Sequence, residues 1–388
     1  FPAGSAYDPS GKAGLAAMAA RLLEEGAGRF EGAKFRAELD ARAIRLTVQP
    51  DRDRISVSLL VLSADAPEAF RMLGLALKAP RFDVDSVTRI RLSMMQEIDE
   101  DRADPAALAW DCFHSFYFGA HPYGHAVGGS KAGLVAVTRD DLARFAQGHW
   151  VRGGLKVAIS GDIGAAAASR LLQSAFGGLP AKAPPPVPAP FAAGAPGLHV
   201  MRLDAGAPDA VFALPGLARR DPDFLAGLIA NQILGGGENS RLTRNLRESR
   251  GLTYDVSTDL VTYGRAAVMV GEMGTRPADM RAALSAVRET MRRFALEGPT
   301  AQEFADAKAY VAGSFPLSFT SNEDIAGQLV GLMEDGLSPD YIGRRAALVG
   351  GIGIDAVRRA ARRLYASDRI TIVVGGTLPP DKRTRNAR

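Results

Sequence analysis

The sequence predicts an α+β protein of two homologous domains, each a mainly antiparallel sheet covered by helices. Its 388 residues are enough for two or three domains. A proline-rich stretch, 179–190, cannot form a helix or a central strand, and it predicts an extended linker over 180–197. The linker leaves two halves of similar size, 1–179 and 198–388, and these resemble each other in sequence.

The internal repeat is visible at both ends of each half. Three pairs of segments match: Asp8-Pro9 with Asp221-Pro222, Ala13-Gly14-Leu15 with Ala226-Gly227-Leu228, and an amphipathic helix beginning at Asp141 with one beginning at Asp355. The two helices lead to predicted strands at 156–161 and 371–375. The separation is 213 residues for the first pairs and 214 for the last, which indicates a duplicated domain.

The first half combines a hairpin with long helices. Apolar residues at helical spacing predict a helix over 15–23. Alternating apolar residues predict a strand over 55–61, paired with a strand over 44–48. Long helical patterns follow over 84–100 and 105–118.

The second half repeats this mixture. Strand patterns cover 253–261 and 266–272, and helical patterns cover 277–296, 303–312, 324–334 and 355–364. Capping-box signatures mark helix starts at Thr138–Asp141 and Thr300–Glu303. Hairpins and long helices without regular βαβ alternation predict helices packed on one face of each sheet.

The composition excludes several classes of protein. Apolar residues make up 47% and charged residues 23%, as in ordinary soluble globular proteins. A single cysteine, Cys112, excludes a disulfide framework and a cysteine-based zinc site within one chain. The net charge of +4 comes from interspersed acidic and basic residues, so no nucleic-acid partner is expected. No stretch of about 18 apolar residues predicts a membrane span.

Histidine and glycine motifs offer few complete sites. His121 and His125 lie four residues apart, but Pro122 and Gly124 disfavour a helix, so a structural loop is favoured over a metal-ligand pair. The remaining histidines stand alone and are expected to be structural: His114, His149 and His199. Neither a G-x-S-x-G elbow nor a P-loop is present.

A glycine-rich segment and an Arg/Tyr pair are the other candidates. The run Gly235–Arg241 follows a helical pattern, so a helix end and turn is favoured over a loop that meets an extended ligand. Arg247 and Tyr254 flank the expected helix end at Gly251. Together they could donate hydrogen bonds to a carbonyl or an oxyanion. On these residues alone, the favoured interpretation is that Arg247 is an ordinary surface residue and Tyr254 is half-buried.

Taken together, these segments resemble the M16 metallopeptidase family, in particular M16B members of the processing-peptidase type. The resemblance covers nearly the whole chain and rests on Gly4–Ala16, His121–Gly124 with Gly128, Val157–Gly161, and Leu234–Leu242 continuing to Arg247 and Gly251–Tyr254. It implies LuxS/MPP-like domains that form one jaw of a clamshell. It also implies that Arg247 and Tyr254 reach another domain's metal centre and bind substrate backbone, and that the loop residues Gly235, Gly236, Gly237, Asn239 and Ser240 lie against an extended peptide.

The zinc motif of the family is degenerate in this chain. Catalytic members carry H-x-x-E-H after the Gly-Leu-Ala start, with two His ligands and a Glu base. Here Ala17, Ala20 and Arg21 occupy those three positions, and none of them can ligate zinc or activate water. Glu97 falls at the third-ligand position and is interpreted as vestigial or structural. Catalytic chains also have a strand or two before the Gly-Ser-x-x-Asp-Pro stretch, so here these strands either lie outside the given chain or are missing from the first sheet.

The resemblance therefore implies a non-catalytic subunit of a heteromeric M16B zinc metallopeptidase, inactive alone. The chain itself would hold no cofactor, and zinc would lie in a homologous HxxEH-bearing partner that hydrolyses peptides. Three alternatives remain open: a structural subunit without proteolytic work, a homodimeric peptide-binding module, and a metal-dependent enzyme using His121 and His125. One cysteine and a start at Phe1 favour a periplasmic location over a cytoplasmic one.

Overall fold

The computed structural model describes residues 1–184, 186, 188–191, 194–204 and 206–378. Four residues of the expected linker lie outside this part: Pro185, Val187, Ala192 and Ala193. The described residues between Leu179 and Phe191 belong to no helix or strand. Within the described residues, no helix is long and apolar enough to cross a membrane.

Helices make up most of the regular structure. In chain order they are α1 Leu15–Arg21, α2 Gly32–Asp40, α3 Ala66–Lys78, α4 Val84–Ala103, α5 Pro105–Phe118, α6 Lys131–Ala136, α7 Arg139–His149, α8 Ala165–Phe176, α9 Phe224–Leu234, α10 Met280–Glu297, α11 Ala301–Gly313, α12 Asn322–Asp335, α13 Tyr341–Gly350 and α14 Ile354–Tyr365. A π-helical turn covers Thr243–Ser249. Both predicted capping boxes are confirmed, at the starts of α7 and α11.

The strands form one large sheet and two small ones. They are β1 Gly26–Ala27, β2 Phe30–Glu31, β3 Arg45–Pro50, β4 Ile55–Leu60, β5 Gly197–Met201, β6 Asp209–Pro215, β7 Asp255–Thr262, β8 Ala267–Gly274 and β9 Thr371–Gly375. The large sheet has the order β5-β9-β6-β8-β7, antiparallel except for the pair β5 and β9. The predicted hairpin is confirmed, with Val48 opposite Val57.

Contacts group the chain into two compact units. The first contains residues 1–99, 125–188 and 318–339, and the second contains 100–124, 189–317 and 340–388. Residues 100–124 thus belong with the C-terminal half, because α5 packs on β6 and β9. The boundaries 1–179 and 198–388 describe the repeated sequence, and as domain limits they stay a prediction.

Each unit has its own apolar core. In the first unit, α1 is buried except at Arg21, and its apolar residues share one core cluster with Phe35, Met72 and Trp150. In the second unit, the large sheet packs against α5, α9 and α14, and α10 packs on α14. The resulting α+β architecture of two domains agrees with the predicted fold class. The expectation of helices on one face only is wrong for the large sheet, because successive residues of β6 and β9 are buried on both faces and α5 packs on these strands as well.

One predicted strand is wrong. Lys156–Gly161 carries the alternation of a half-buried strand, but the structure gives it no strand partner, and its residues are only partly buried. Alternation of apolar and polar residues indicates that one face of the segment is buried. A strand also requires a neighbouring strand that pairs with its backbone N–H and C=O groups. In the described part of the first unit, the strands pair only as β1 with β2 and β3 with β4.

Candidate functional site

The three degenerate zinc-motif positions lie on α1. Asp8 holds the start of this helix, because its carboxylate accepts hydrogen bonds from the backbone N–H groups of Gly14 at 2.7 Å and Ala16 at 2.8 Å. Ala17 and Ala20 are 1% and 0% exposed and belong to the core of the first unit. Their methyl groups offer no lone pair to a metal and no base to a water molecule.

Arg21, the third of these positions, makes an ion pair with Glu97. Its Nη1 and Nη2 donate to Oε1 and Oε2 of Glu97, both at 2.6 Å, so the pair is bidentate and ties the end of α1 to α4. Ser93 Oγ also donates to Glu97 Oε1 at 3.2 Å. The hydrogen bonds from Arg21 lower the pKa of Glu97 below its ordinary value, so the carboxylate stays ionised.

These residues do not fit a zinc ion. Two alanines and a guanidinium replace the ligands and the base, and the one retained carboxylate is already neutralised by a cation. Over the residues that the structure describes, no three His, Cys, Asp or Glu side chains come together as a possible metal site.

The histidine motif is engaged in local hydrogen bonds. His121 Nε2 lies 2.8 Å from the carbonyl of Ala189, and its Nδ1 accepts from the backbone N–H of Tyr123 at 3.1 Å. Both ring nitrogens of His121 therefore have partners. His125 Nδ1 lies 3.0 Å from the carbonyl of Ala126. This arrangement suits the loop interpretation rather than metal ligation.

The glycine-rich loop continues from the end of α9. The N–H groups of Gly235 and Gly236 both donate to the carbonyl of Asn231, at 2.9 and 3.0 Å, which turns the chain. The Gly235 carbonyl accepts from the N–H of Thr258 at 3.0 Å, so the loop lies along β7, an edge strand of the large sheet. A Cβ atom at Gly235 would lie 2.4 Å from Thr258 Oγ1, and one at Gly236 would lie 2.6 Å from Gln232 Cα. Close packing thus requires both glycines.

The far end of the loop is split between exposed and buried residues. Gly237, Glu238 and Asn239 are exposed. Ser240 is 2% exposed, and its Oγ is 2.9 Å from Thr243 Oγ1 and accepts from the Thr243 N–H at 3.2 Å. Ser240 is therefore buried and held by Thr243 at the start of the π-helical turn.

Arg247 lies at the end of the same turn and contacts the loop. Its Nη1 donates to Glu238 Oε2 at 3.0 Å, and both side chains are largely open to solvent. The turn ends before Gly251, which has a φ of +59°. Tyr254 follows directly before β7 and is 66% exposed, so the half-buried tyrosine favoured by the local sequence is wrong.

A cleft of about 320 Å³ is lined by the glycine-rich loop, Arg247 and β7. Its carboxylates come from Glu238, Asp255 and Asp259, against one cation, Arg247. Burial, followed by repulsion from Glu272, raises the pKa of Asp259. Tyr254 is the neighbour of a lining residue, Asp255, but does not itself line the cleft. Sequence reasoning missed the aspartates, although their alternation on one face of β7 was a readable signal.

Two family models match this chain. Residues 1–131 match the model described as insulinase, peptidase family M16, and residues 136–311 match the one described as peptidase M16 inactive domain. A non-peptidase homolog from Helicobacter pylori is 25% identical over 330 residues, which cover 85% of this chain and 76% of that protein. An uncharacterized zinc protease of Streptomyces coelicolor is 28% identical over 262 residues, which cover 66% of this chain and 57% of that protein.

Solved structures agree with the fold. A peptidase M16 inactive domain from Pseudomonas fluorescens has a TM-score of 0.92 at 26% identity, covering 98% of this chain and 92% of that chain. A Helicobacter pylori protease has a TM-score of 0.84 at 15% identity over 98% of this chain and 92% of that chain, which supports the fold alone. The two M16 family models match adjacent parts of the chain, 1–131 and 136–311. Together with the structural similarity to the Pseudomonas fluorescens protein over 98% of the chain, they confirm the predicted resemblance. The chain therefore belongs to the M16 peptidase family.

Proposed function

We propose that this chain is the non-catalytic subunit of a heteromeric M16 peptidase and presents substrate-binding groups to a homologous partner. One observation carries the proposal: the zinc-motif positions are closed by core alanines and the Arg21–Glu97 ion pair, while Arg247 and Tyr254 remain exposed beside the glycine-rich cleft.

The proposed division of labour follows from these donors. The partner would hold the zinc ion and perform the hydrolysis. Tyr254 Oη, free of burial, would donate to the oxyanion that forms on the scissile carbonyl, and Arg247 would hold a substrate carbonyl. The exposed loop residues from Gly237 to Asn239 would lie along the extended peptide. The name of the Helicobacter pylori relative, a non-peptidase homolog, supports the loss of catalysis.

The test mixes the purified chain with a candidate partner that carries an intact HxxEH motif. Cleavage of a quenched peptide is measured for the chain alone, the partner alone and the mixture. We expect activity only in the mixture, and a loss of about 10²–10³ in rate for Tyr254→Phe, because removing one oxyanion donor costs that much. Arg247→Ala should be slow as well, mainly through a raised KM.

Matched substitutions separate these roles from general effects. Tyr310→Phe removes another exposed phenol, on α11, and Arg250→Ala removes another exposed guanidinium, near Arg247. Both should leave the rate unchanged, and all four variants should still bind the partner in gel filtration. Full activity of the mixtures containing Tyr254→Phe and Arg247→Ala would make this chain a scaffold without a role in substrate binding.

A further inference from the structure

The outer faces of α10 and α14 concentrate positive charge. These two helices hold eight arginines and three acidic residues, an excess of five positive charges, whereas the whole chain has an excess of four. The rest of the chain, taken together, is therefore slightly acidic.

The two helices lie side by side in the second unit. The rings of Phe294 and Tyr365 are 5.8 Å apart, and a Cβ atom at Gly298 would lie 2.7 Å from Arg358 Cγ. Phe294 on α10 lies near Tyr365 on α14, and Gly298, just after α10, lies near the earlier residue Arg358. The two helices therefore run roughly antiparallel. Their inner faces are buried in one core cluster, and their outer arginines consequently share one exposed surface.

Half of these arginines are free of internal partners. Arg358 pairs with Asp355, and Arg359 and Arg363 pair with Asp223 and Asp221. Among the described residues, no hydrogen bond or ion pair engages the exposed side chains of four others: Arg288, Arg292, Arg293 and Arg362. Arg293 lines a separate cleft with Arg241 and Glu303. We name the other three residues, Arg288, Arg292 and Arg362, the basic face. Leu296, one turn beyond Arg292 on α10, is 77% exposed and adds an apolar group to the same surface.

We propose that the basic face binds an anionic lipid surface. Guanidinium groups pair with phosphate oxygens through two parallel hydrogen bonds, and each basic side chain near an anionic bilayer adds about fivefold to the partition coefficient. Unpaired arginines spread over two adjacent helices suit an extended surface rather than a small ligand. An exposed leucine among them suits the boundary between headgroups and acyl chains, and it favours a bilayer over an acidic peptide. The association would be peripheral and independent of peptidase activity.

The test is co-flotation of the full chain with vesicles. One set contains phosphatidylcholine alone, and the other contains about 30% phosphatidylglycerol, an anionic content chosen to give a negative surface potential. We expect binding to the anionic vesicles only, weakening as salt screens the charges. Arg288→Gln, Arg292→Gln and Arg362→Gln together should lower the partition coefficient about a hundredfold, and Leu296→Ser should lower it severalfold.

A matched triple variant controls for net charge. Arg45, Arg102 and Arg170 are exposed, lie on other elements, and form no ion pair within the described part of the chain. Replacing all three by Gln changes the net charge equally and should leave vesicle binding unchanged. The proposal is overturned if the wild-type chain ignores anionic vesicles, if it binds both vesicle types equally, or if the control triple loses as much binding. Tight binding of polyglutamate without vesicle binding would assign the basic face to an acidic protein instead.

Discussion

Arg21 turns a metal-ligand position into an internal ion pair. Like a zinc ion, the guanidinium neutralises the carboxylate, and it fixes its orientation because both oxygens of Glu97 accept a hydrogen bond at 2.6 Å. The pair joins α1 and α4, which are far apart in sequence. About a third of Arg21 and two fifths of Glu97 are exposed, so solvent screens the interaction and its contribution to stability is modest.

A double-mutant cycle measures that contribution. Arg21→Ala and Glu97→Ala should each lower the free energy of unfolding by about 1 kcal/mol, because each removes the same bidentate contact. In urea unfolding, the double variant should then lower the free energy of unfolding by hardly more than either single variant does. Arg71 and Glu68 supply a comparison, since they form a bidentate pair within one turn of α3 and should couple more weakly. Additive losses at Arg21 and Glu97 would contradict a coupled pair.

The sequence predicted the degeneracy of the zinc motif but not its replacement. Nothing in the spacing of Arg21 and Glu97, 76 residues apart, indicates that their side chains meet. The same holds for the cleft, where Asp255 and Asp259 join Arg247 only because β7 lies against the glycine-rich loop. Contacts between distant residues depend on packing, which local patterns do not contain.

At the scale of elements, the glycine-rich loop packs so closely on β7 that there is no room for a side chain at Gly235. Gly235→Ala should displace the loop and lower the free energy of unfolding by about 1–3 kcal/mol, because the new Cβ would meet Thr258 Oγ1 at 2.4 Å and its backbone N at 2.9 Å. In the proposed complex the same variant should raise KM for peptide. Thermal unfolding and steady-state kinetics give the two readouts.

Gly237→Ala is the matched control for this loop. The nearest atom to its new Cβ is Gln232 Nε2 at 3.2 Å, the mobile end of a side chain that can move away. We expect unchanged unfolding and at most a small change in KM. Equal losses at Gly235 and Gly237 would show that loop flexibility, rather than packing on β7, sets the effect.

The capping box of α11 is also an electrostatic junction. Burial raises the pKa of Glu303, but hydrogen bonds from Arg241 and Thr300 outweigh it and lower the pKa to about 2. The folded pKa is thus below the ordinary value of 4.5, so this stabilisation is complete above about pH 4.5 and is lost as the pH falls toward 2.

Glu303→Gln should therefore cost about 2 kcal/mol at pH 7, after allowance for solvent screening. The difference in unfolding free energy between wild type and variant should shrink between pH 5 and pH 3. Glu297→Gln, an exposed neighbour on α10 without an ion pair in the described part of the chain, should show no such pH dependence. A constant difference for Glu303→Gln across this range would contradict the lowered pKa.

Elements with local signals were predicted well. The hairpin of β3 and β4, the helix Pro105–Phe118 and both capping boxes depend on residues close in sequence, and all are confirmed. Lys156–Gly161 failed because a strand needs a neighbour from elsewhere in the chain. The parallel pair β5 and β9 likewise joins residues at 197 and 371, beyond the reach of a local pattern.

At the scale of the whole molecule, duplication in sequence and grouping by contact differ. The repeat divides the chain near its middle, whereas α5 from the first half packs on the sheet of the second unit. A substitution in α5 can thus disturb the sheet that bears the proposed substrate cleft. The side chain of Trp110 illustrates this, because its Nε1 donates to Glu272 Oε2 on β8 at 3.0 Å.

The chain as a whole should bind little zinc. Purified without a partner, the chain should contain far less than one zinc ion per molecule, because the degenerate motif lacks ligands and both ring nitrogens of His121 are engaged. A bound ion would stabilise the folded state by mass action, and its removal would lower the thermal midpoint. Because no bound ion is expected here, EDTA should leave the midpoint unchanged. An HxxEH-bearing homologue, treated in parallel, should contain zinc and lose stability with EDTA. Stoichiometric zinc in this chain, removed by His121→Ala with His125→Ala, would instead favour a metal-dependent activity of its own.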